Sequence, residues 1–216
     1  MSGNKKKQIS RRRRALRWMA ALAAALAAGL LSGVYCLTPT CALREVEQAY
    51  LCGRTEWLCR LPGIPGASRE SDLRLSAGEH ALILGEYAFT WNRGWQTSFS
   101  FVMEREPERP FSADIYDRAL SVGTENYTRY FYIYGALESP DAVQLEIDFV
   151  AREGGYDQTV RLTGADYVTT EDGERFFFCA LSPEENLYSY ACYITAFDAE
   201  GTELGTLQAA GIPRWE

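Results

Sequence analysis

The chain has 216 residues and a net charge of −7, and its charges are separated along the sequence. Eight Lys and Arg precede position 18, no charge lies from 18 to 43, and the remainder holds fourteen Arg, no Lys and all 29 Asp and Glu. This acidic excess argues against nucleic acid as a partner, because phosphate backbones are bound by clustered cations. One histidine, His80, excludes zinc sites built from several histidines.

The first predicted element is a membrane-spanning signal anchor over residues 18–37. These residues are mostly apolar, and as a helix they would span about 30 Å, the thickness of the hydrocarbon core of a bilayer. The basic residues lie only on the N-terminal side, so the positive-inside rule predicts a basic cytoplasmic tail over residues 1–17. We therefore expect a single-pass protein of the cell membrane, with its C-terminal domain extracytoplasmic.

A cleaved signal peptide is the alternative for this segment, because it has the same order of basic and apolar residues. The apolar run is longer than the usual ~7–15 residues of a signal peptide, which favours an uncleaved anchor. Under the alternative, the protein would be secreted with a mature N-terminus near Leu43.

Small residues recur every four positions along the predicted span: Ala21, Ala25, Gly29 and Gly33. Such a face allows close packing of two helices in a membrane, so it predicts a homodimer through the membrane helix. The abundance of alanine would also produce this spacing by itself, and leucines form an equally regular stripe. Both interpretations stay open at this point.

A juxtamembrane segment follows over residues 38–53. Its apolar residues recur at helical spacing and end before Gly53, which predicts a short amphipathic helix over about 42–52. Beyond it, runs of alternating apolar and polar residues between Gly, Pro, Asn and Asp clusters predict strands.

An N-terminal β-rich lobe is predicted over residues 54–124. Its expected strands are Thr55–Leu61, Asp72–Leu75, His80–Trp91 and Trp95–Glu104. Two prolines favour a loop over Pro107–Asp117, and a helical turn is expected around Asp114–Leu120. Whether this lobe is a separate domain stays open.

The C-terminal part, residues 125–216, has the clearest strand pattern. Its predicted strands are Tyr127–Leu137, Ala142–Arg152, Tyr156–Leu162, Glu174–Leu181, Tyr188–Asp198 and Thr202–Gln208. Asp and Gly in the turns between them favour hairpins. Short, closely spaced strands predict an antiparallel β-sandwich. The expected fold class is therefore mainly β, with a transmembrane helix and one short helix.

Two runs in this part, FYIYGALESPDAVQLEIDF (131–149) and YITAFDAEGTEL (193–204), resemble small immunoglobulin-like domains of bacterial cell-surface proteins. The resemblance covers residues 127–208. It implies an immunoglobulin-like architecture in a membrane-anchored protein of the bacterial cell envelope, and it implies no particular activity.

The candidate partner-binding positions are aromatic: Tyr130, Tyr132, Tyr134, Trp91 and Trp95. The three tyrosines share one face of a predicted strand, and they form an exposed row if Phe131 and Ile133 face the core. The two tryptophans flank a predicted loop. Exposed aromatic side chains stack on sugars or anchor proteins, which predicts a glycan or an envelope protein as the partner. The tendency of tyrosine to occupy strands is the alternative explanation.

Six cysteines lie at or beyond the outer boundary of the predicted span, where disulfides are permitted. Cys179 and Cys192 fall on consecutive predicted strands and are the best-placed pair. Cys52 and Cys59 flank a turn and come second. Buried free thiols are the alternative.

The sequence shows no pattern typical of catalysis. Paired carboxylates such as Glu146 and Asp148 leave an extracytoplasmic hydrolase as an alternative, although such pairs are expected among 29 acidic residues. We expect a binding or scaffolding module of the cell envelope that is not an enzyme, with no catalytic residue, no metal and no cofactor.

Overall fold

The computed structural model describes residues 3–31, 35–61, 72–122, 126–151, 157–181 and 190–209. These residues form two α-helices and three antiparallel sheets, which confirms the predicted mainly-β class. The helices are α1 (Gly3–Leu31) and α2 (Pro39–Tyr50). The strands are β1 (Glu56–Arg60), β2 (Asp72–Ala77), β3 (Ala81–Thr90), β4 (Gly94–Glu104), β5 (Phe111–Val122), β6 (Asn126–Leu137), β7 (Gln144–Ala151), β8 (Asp157–Leu162), β9 (Tyr167–Thr169), β10 (Arg175–Leu181), β11 (Tyr190–Phe197) and β12 (Glu203–Ala209).

Helix α1 contains residues 3–17 of the predicted basic tail and most of the apolar segment that follows it. Among the described residues, no helix combines the length and the hydropathy needed to cross a bilayer. Ala21 and Ala25 are exposed and Gly29 is half-buried, whereas Gly33 lies outside the described residues. The homodimer through this stripe stays a prediction.

Helix α2 begins three residues before the predicted helix because of its N-terminal cap. The Thr38 hydroxyl accepts a hydrogen bond from the Cys41 backbone N–H at 3.3 Å, and Pro39 occupies the first turn, where a missing N–H costs nothing. The helix ends at Leu51, whose φ of 54° is left-handed.

The strands form three four-stranded sheets. The meander sheet has the order β1-β2-β3-β4, the central sheet has β5-β6-β10-β9, and the outer sheet has β12-β11-β7-β8. One face of the meander sheet carries α2, whose apolar side packs on Ile83 and Tyr87. The layers therefore follow the order α2, meander sheet, central sheet and outer sheet.

Both faces of the central sheet are buried. On β6, Phe131 and Ile133 pack in a core shared with the outer sheet, while Tyr132 and Tyr134 pack in a second core shared with the meander sheet. The first core also holds outer-sheet residues such as Leu145, Ile147, Phe149 and Ile194. The second holds meander-sheet residues such as Leu73, Leu75, Leu82, Leu84 and Met103. The central sheet is therefore the layer that joins the two cores.

The helical turn predicted around Asp114–Leu120 is wrong, and the loop predicted over Pro107–Asp117 is confirmed only for residues 107–110. Residues from Phe111 onward form β5, which pairs with β6 along its whole length, from Phe111 opposite Leu137 to Val122 opposite Asn126. The reason is that ladder pairing with a buried neighbouring strand outweighs weak local helical preference. Strand β5 belongs to the central sheet but lies in the predicted N-terminal lobe, which was expected to end at residue 124. The central sheet therefore contains residues from both predicted parts of the chain.

Arg105 links the meander sheet to the central sheet. Its side chain is 8% exposed and donates to both carboxylate oxygens of Glu138 at 3.0 and 2.7 Å. It also donates to Glu174 at 2.9 Å and to the Gly78 carbonyl at 3.2 Å. The hydrogen bonds that Arg105 donates to Glu138 outweigh burial and raise the pKa of Arg105 further above its usual range. The guanidinium therefore stays charged, and four hydrogen bonds hold it in place.

Replacing Arg105 with Ala should destabilise the fold by about 3–5 kcal/mol, because it leaves the buried Glu138 carboxylate without its partner. The matched control is Arg161→Ala. It breaks the Arg161–Glu146 pair, in which the arginine side chain is 69% exposed, and should cost less than about 1 kcal/mol. Urea unfolding of the full chain in detergent, followed by near-UV circular dichroism, measures both. Equal losses for the two variants would contradict the structural role of Arg105.

Gly135→Ala should also destabilise the fold, by about 1–3 kcal/mol, because the central sheet has no room for a methyl group there. A Cβ at Gly135 would lie 2.1 Å from the Ser112 carbonyl oxygen and 2.5 Å from the Phe177 ring. Gly164→Ala is the control, since a Cβ there meets no atom within 4 Å. The same unfolding measurement should find the control within about 0.5 kcal/mol of the parent protein, as for most surface substitutions.

Candidate functional site

Exposed aromatic side chains come together at the tip of the β3–β4 hairpin. Trp91 is 91% exposed and Phe89 is 46% exposed. The Phe89 ring lies edge-on to Trp91 at 5.9 Å and to Trp95 at 6.0 Å between ring centroids. We call residues 89–95 the hairpin tip. The predicted Trp91 and Trp95 are thus brought into one cluster, together with Phe89, which the sequence analysis did not select.

The chain that follows α1 is bonded to the hairpin tip. The Cys36 N–H donates to the Arg93 carbonyl at 3.1 Å, and the Trp95 N–H donates to the Cys36 carbonyl at 2.7 Å. Gly94 makes this approach possible, because its φ is 74° and a Cβ there would lie 2.1 Å from the Cys36 carbonyl oxygen. The last residues of the predicted span therefore lie directly beside the tip.

A disulfide between Cys36 and Cys41 fixes the same segment to the start of α2. The sequence analysis did not propose it, because its candidate pairs were chosen on predicted strands and turns. Glu45 Oε1 lies 3.4 Å from the Cys36 sulfur, a contact rather than a hydrogen bond, since a bonded sulfur carries no proton. These three residues are the one group of metal-type ligands within 4.8 Å of one another in the described part of the chain, and the disulfide occupies both sulfurs.

The predicted exposed tyrosine row is wrong for two of its three members. Tyr132 is 2% exposed and Tyr134 is 0% exposed, while Tyr130 is half-buried. The row faces the meander sheet, which covers it. Tyr132 stacks on Phe178 with ring centroids 5.6 Å apart, and burial raises the pKa of the Tyr134 hydroxyl. Tyr132 and Tyr134 therefore belong to a core and offer no surface to a ligand.

The predicted bridge between Cys179 and Cys192 is not formed, and both are buried free thiols in the core of the central and outer sheets. Burial raises the pKa of Cys179 to about 11 and the pKa of Cys192 to about 12. Cys52 and Cys59, the second predicted pair, are also free thiols. Burial raises the pKa of both, so all four thiols are protonated near neutral pH.

The single histidine and a cysteine line one open cavity of about 510 Å³, beside Tyr50 and Glu104. The Cys52 thiol lies 4.0 Å from the carbonyl oxygens of Glu47 and Gly53. Burial, the largest cause, raises its pKa, and a protonated thiol is a poor nucleophile. His80 lies 3.9 Å from Glu79 on the surface. This cavity therefore lacks an activated Cys–His pair.

A second open cavity of about 600 Å³ runs between β1, the end of β2 and the β9–β10 turn. We call it the acidic groove. Its apolar wall consists of Trp57, Leu58 and Phe176. Its carboxylates are Glu56, Glu79, Glu171, Asp172 and Glu174, and Arg54 also lines it. The groove lies where Arg105 pairs with Glu174 between the meander sheet and the central sheet. This ion pair holds the two walls of the groove together.

The carboxylates considered for a hydrolase lie elsewhere, on the outer sheet. Glu146 pairs with Arg161 at 2.7 Å, and Asp148 accepts a hydrogen bond from Thr159 at 2.6 Å. Both partners lie on the neighbouring strand β8. These two carboxylates therefore take part in cross-strand pairs, and neither lines the two cavities described above.

Comparison with known proteins gives no match, whether to a family model, to a curated protein or to a solved structure. Inferences about function therefore rest on the residues of this chain.

The thiol assignment can be checked by counting alkylation products. Intact mass after alkylation of the unfolded, unreduced chain should show four adducts, one for each free thiol, and six after reduction. In the folded chain, Cys179 and Cys192 should react slowly near neutral pH, because they are buried and protonated. Two adducts on the unreduced chain would contradict the assignment, since they would indicate a second disulfide.

Proposed function

We propose that this chain is a single-pass membrane protein of the bacterial cell envelope, whose extracytoplasmic β domain is a binding or scaffolding module. The basic residues before the apolar segment and the acidic residues after it support this orientation. The Cys36–Cys41 disulfide adds support from an independent source, because disulfides persist mainly in oxidising compartments outside the cytoplasm.

The observation that carries the proposal is the strand order of the central and outer sheets. Constant-type immunoglobulin sandwiches have one sheet of order A-B-E-D packed on a sheet formed by C, F and G. If β5 to β12 are lettered A, B, C, C′, D, E, F and G, the central sheet is A-B-E-D and the outer sheet is G-F-C-C′. This agreement supports an immunoglobulin-like architecture, which many cell-surface domains share.

We assign partner binding to the acidic groove. Its walls come from the meander sheet and the central sheet. The hydrogen bonds from Arg105 to the Gly78 carbonyl and to Glu174 hold these two sheets together at the groove. An apolar wall with a rim of carboxylates matches a protein segment that carries Lys or Arg beside an apolar side chain, since interfaces combine apolar anchors with complementary rim charges. An envelope protein is therefore the proposed partner.

A photo-crosslinking amino acid at Thr170 tests this assignment, because Thr170 lines the acidic groove and is only partly buried. The control position is Asp157, which is exposed on β8 of the outer sheet. Irradiation of intact cells should give a specific envelope-protein adduct from position 170 only, and the double change Glu171→Lys, Asp172→Lys should weaken it. Identical adducts from both positions, or none from position 170, would contradict the groove as the binding surface.

The same cells test the anchor. The full-length chain should remain in the membrane fraction after alkaline carbonate extraction and retain residues 1–42 by intact mass. A soluble chain that begins near Leu43 would support the secreted alternative. A chain that carbonate releases with its N-terminus intact would contradict the single span.

A further inference from the structure

The hairpin tip exposes aromatic side chains and no carboxylate, although the domain around it is acidic. From Tyr87 to Met103 there is no Asp or Glu, although 29 acidic residues occur after position 44. The acid-free stretch is bounded by Glu86 and Glu104 and contains one charged residue, Arg93. Its distal part holds Phe89 and Trp91, which are both exposed. The tip therefore differs in charge and polarity from the rest of the domain.

The position of the tip is set by its bonds to Cys36. Residues paired across adjacent strands lie roughly 5 Å apart, and Cys36 forms such a bridge with Gly94. Cys36 is the penultimate residue of the predicted span, and it is five residues beyond the last residue of α1. Five extended residues reach at most about 18 Å. The tip is thus held close to the point where the predicted span ends.

Phe89 and Trp91 are suited to the boundary between lipid and water, whereas Trp95 is half-buried against the core between α2 and the meander sheet. Tryptophan has a large apolar ring and one N–H donor, and it is enriched where one end of a side chain is apolar and the other is hydrated. Leu37, 58% exposed, belongs to the same segment that pairs with the tip. The absence of carboxylates between Tyr87 and Met103 removes the charge that would oppose burial among the lipid headgroups.

We propose that the hairpin tip inserts into the interfacial region of the lipid bilayer, with Trp91 at the deepest point and Phe89 beside it. This proposal rests on the membrane anchoring proposed above. Lipid is the occupant that chain connectivity favours, because Cys36 pairs with Gly94 and lies only five residues beyond the end of α1. With two contacts, the span and the tip, the domain is held in one orientation relative to the membrane, and the acidic groove points in a fixed direction.

The test measures quenching of tryptophan fluorescence in the full chain reconstituted into phosphatidylcholine vesicles with or without brominated acyl chains. The Trp18→Phe background removes the tryptophan of α1. The contribution of Trp91 is the difference between this protein and its Trp91→Phe variant. We expect the Trp91 contribution to be blue-shifted and reduced about two-fold by brominated lipid, as for a residue at the membrane interface. Trp57, which lies over Tyr87 beneath α2, is the control and should be unaffected.

The outcomes separate the two proposals. Vesicles that retain the chain while Trp91 stays unquenched and red-shifted would overturn insertion of the tip and leave the anchor standing. A blue-shifted but unquenched Trp91 would place the tip against protein, either a second copy or a partner, and would also overturn lipid as the occupant. A chain that does not float with the vesicles would overturn the anchor and the insertion together. Trp91→Phe changes one exposed side chain, so we expect the variant to fold normally.

Discussion

Strand β6 carries large side chains on both of its faces, and this constraint determines the number of layers. Antiparallel strands usually leave one face to water. Here Phe131 and Ile133 require one covering sheet, while Tyr132 and Tyr134 require another. Each aromatic ring left uncovered would expose about 150–250 Å², so a sandwich of two sheets would be incomplete. The meander sheet covers the second face, and α2 then covers the meander sheet.

The link between the meander sheet and the central sheet depends on the number of N–H donors that arginine carries. Arg105 reaches Glu138, Glu174 and the Gly78 carbonyl at once, which places a donor against three different segments of the chain. A guanidinium has five N–H donors in a planar fork, whereas an ammonium has three on a single nitrogen. Lysine at this position could not satisfy both oxygens of Glu138 while also bonding the other two groups. This link therefore needs this residue type.

Most strands could be predicted from the local alternation of apolar and polar residues. The sheet that packs on each strand could not be predicted in this way. Alternation places Tyr132 and Tyr134 on one face of β6, yet nothing nearby in sequence indicates that β3 and β4 lie over them. The predicted exposure failed for this reason. Strand β5 was missed because its pairing with β6 is decided by tertiary contact, whereas its local residues favoured a loop and a turn.

The candidate site was predictable only in part. Trp91 and Trp95 stand out in the sequence, but the contact of the hairpin tip with Cys36 depends on a bridge between distant segments. The start of α2 could have been found from Thr38-Pro39, a capping residue followed by proline at the first helical position. The Cys36–Cys41 disulfide was missed because the candidate pairs were chosen on predicted strands and turns, whereas both of these cysteines precede the first strand.

The topology of the sheets also implies an order of assembly. In the meander sheet, every strand pairs with its neighbour in sequence, whereas the central and outer sheets depend on pairing β6 with β10 and β7 with β11. Local contacts form faster than distant ones, because less chain entropy is lost before they close. We expect the meander sheet to form first, with Leu75 and Leu84 exposed until β6 arrives. During this interval the nascent chain presents an apolar sheet face to its surroundings, which makes it a substrate for holding chaperones.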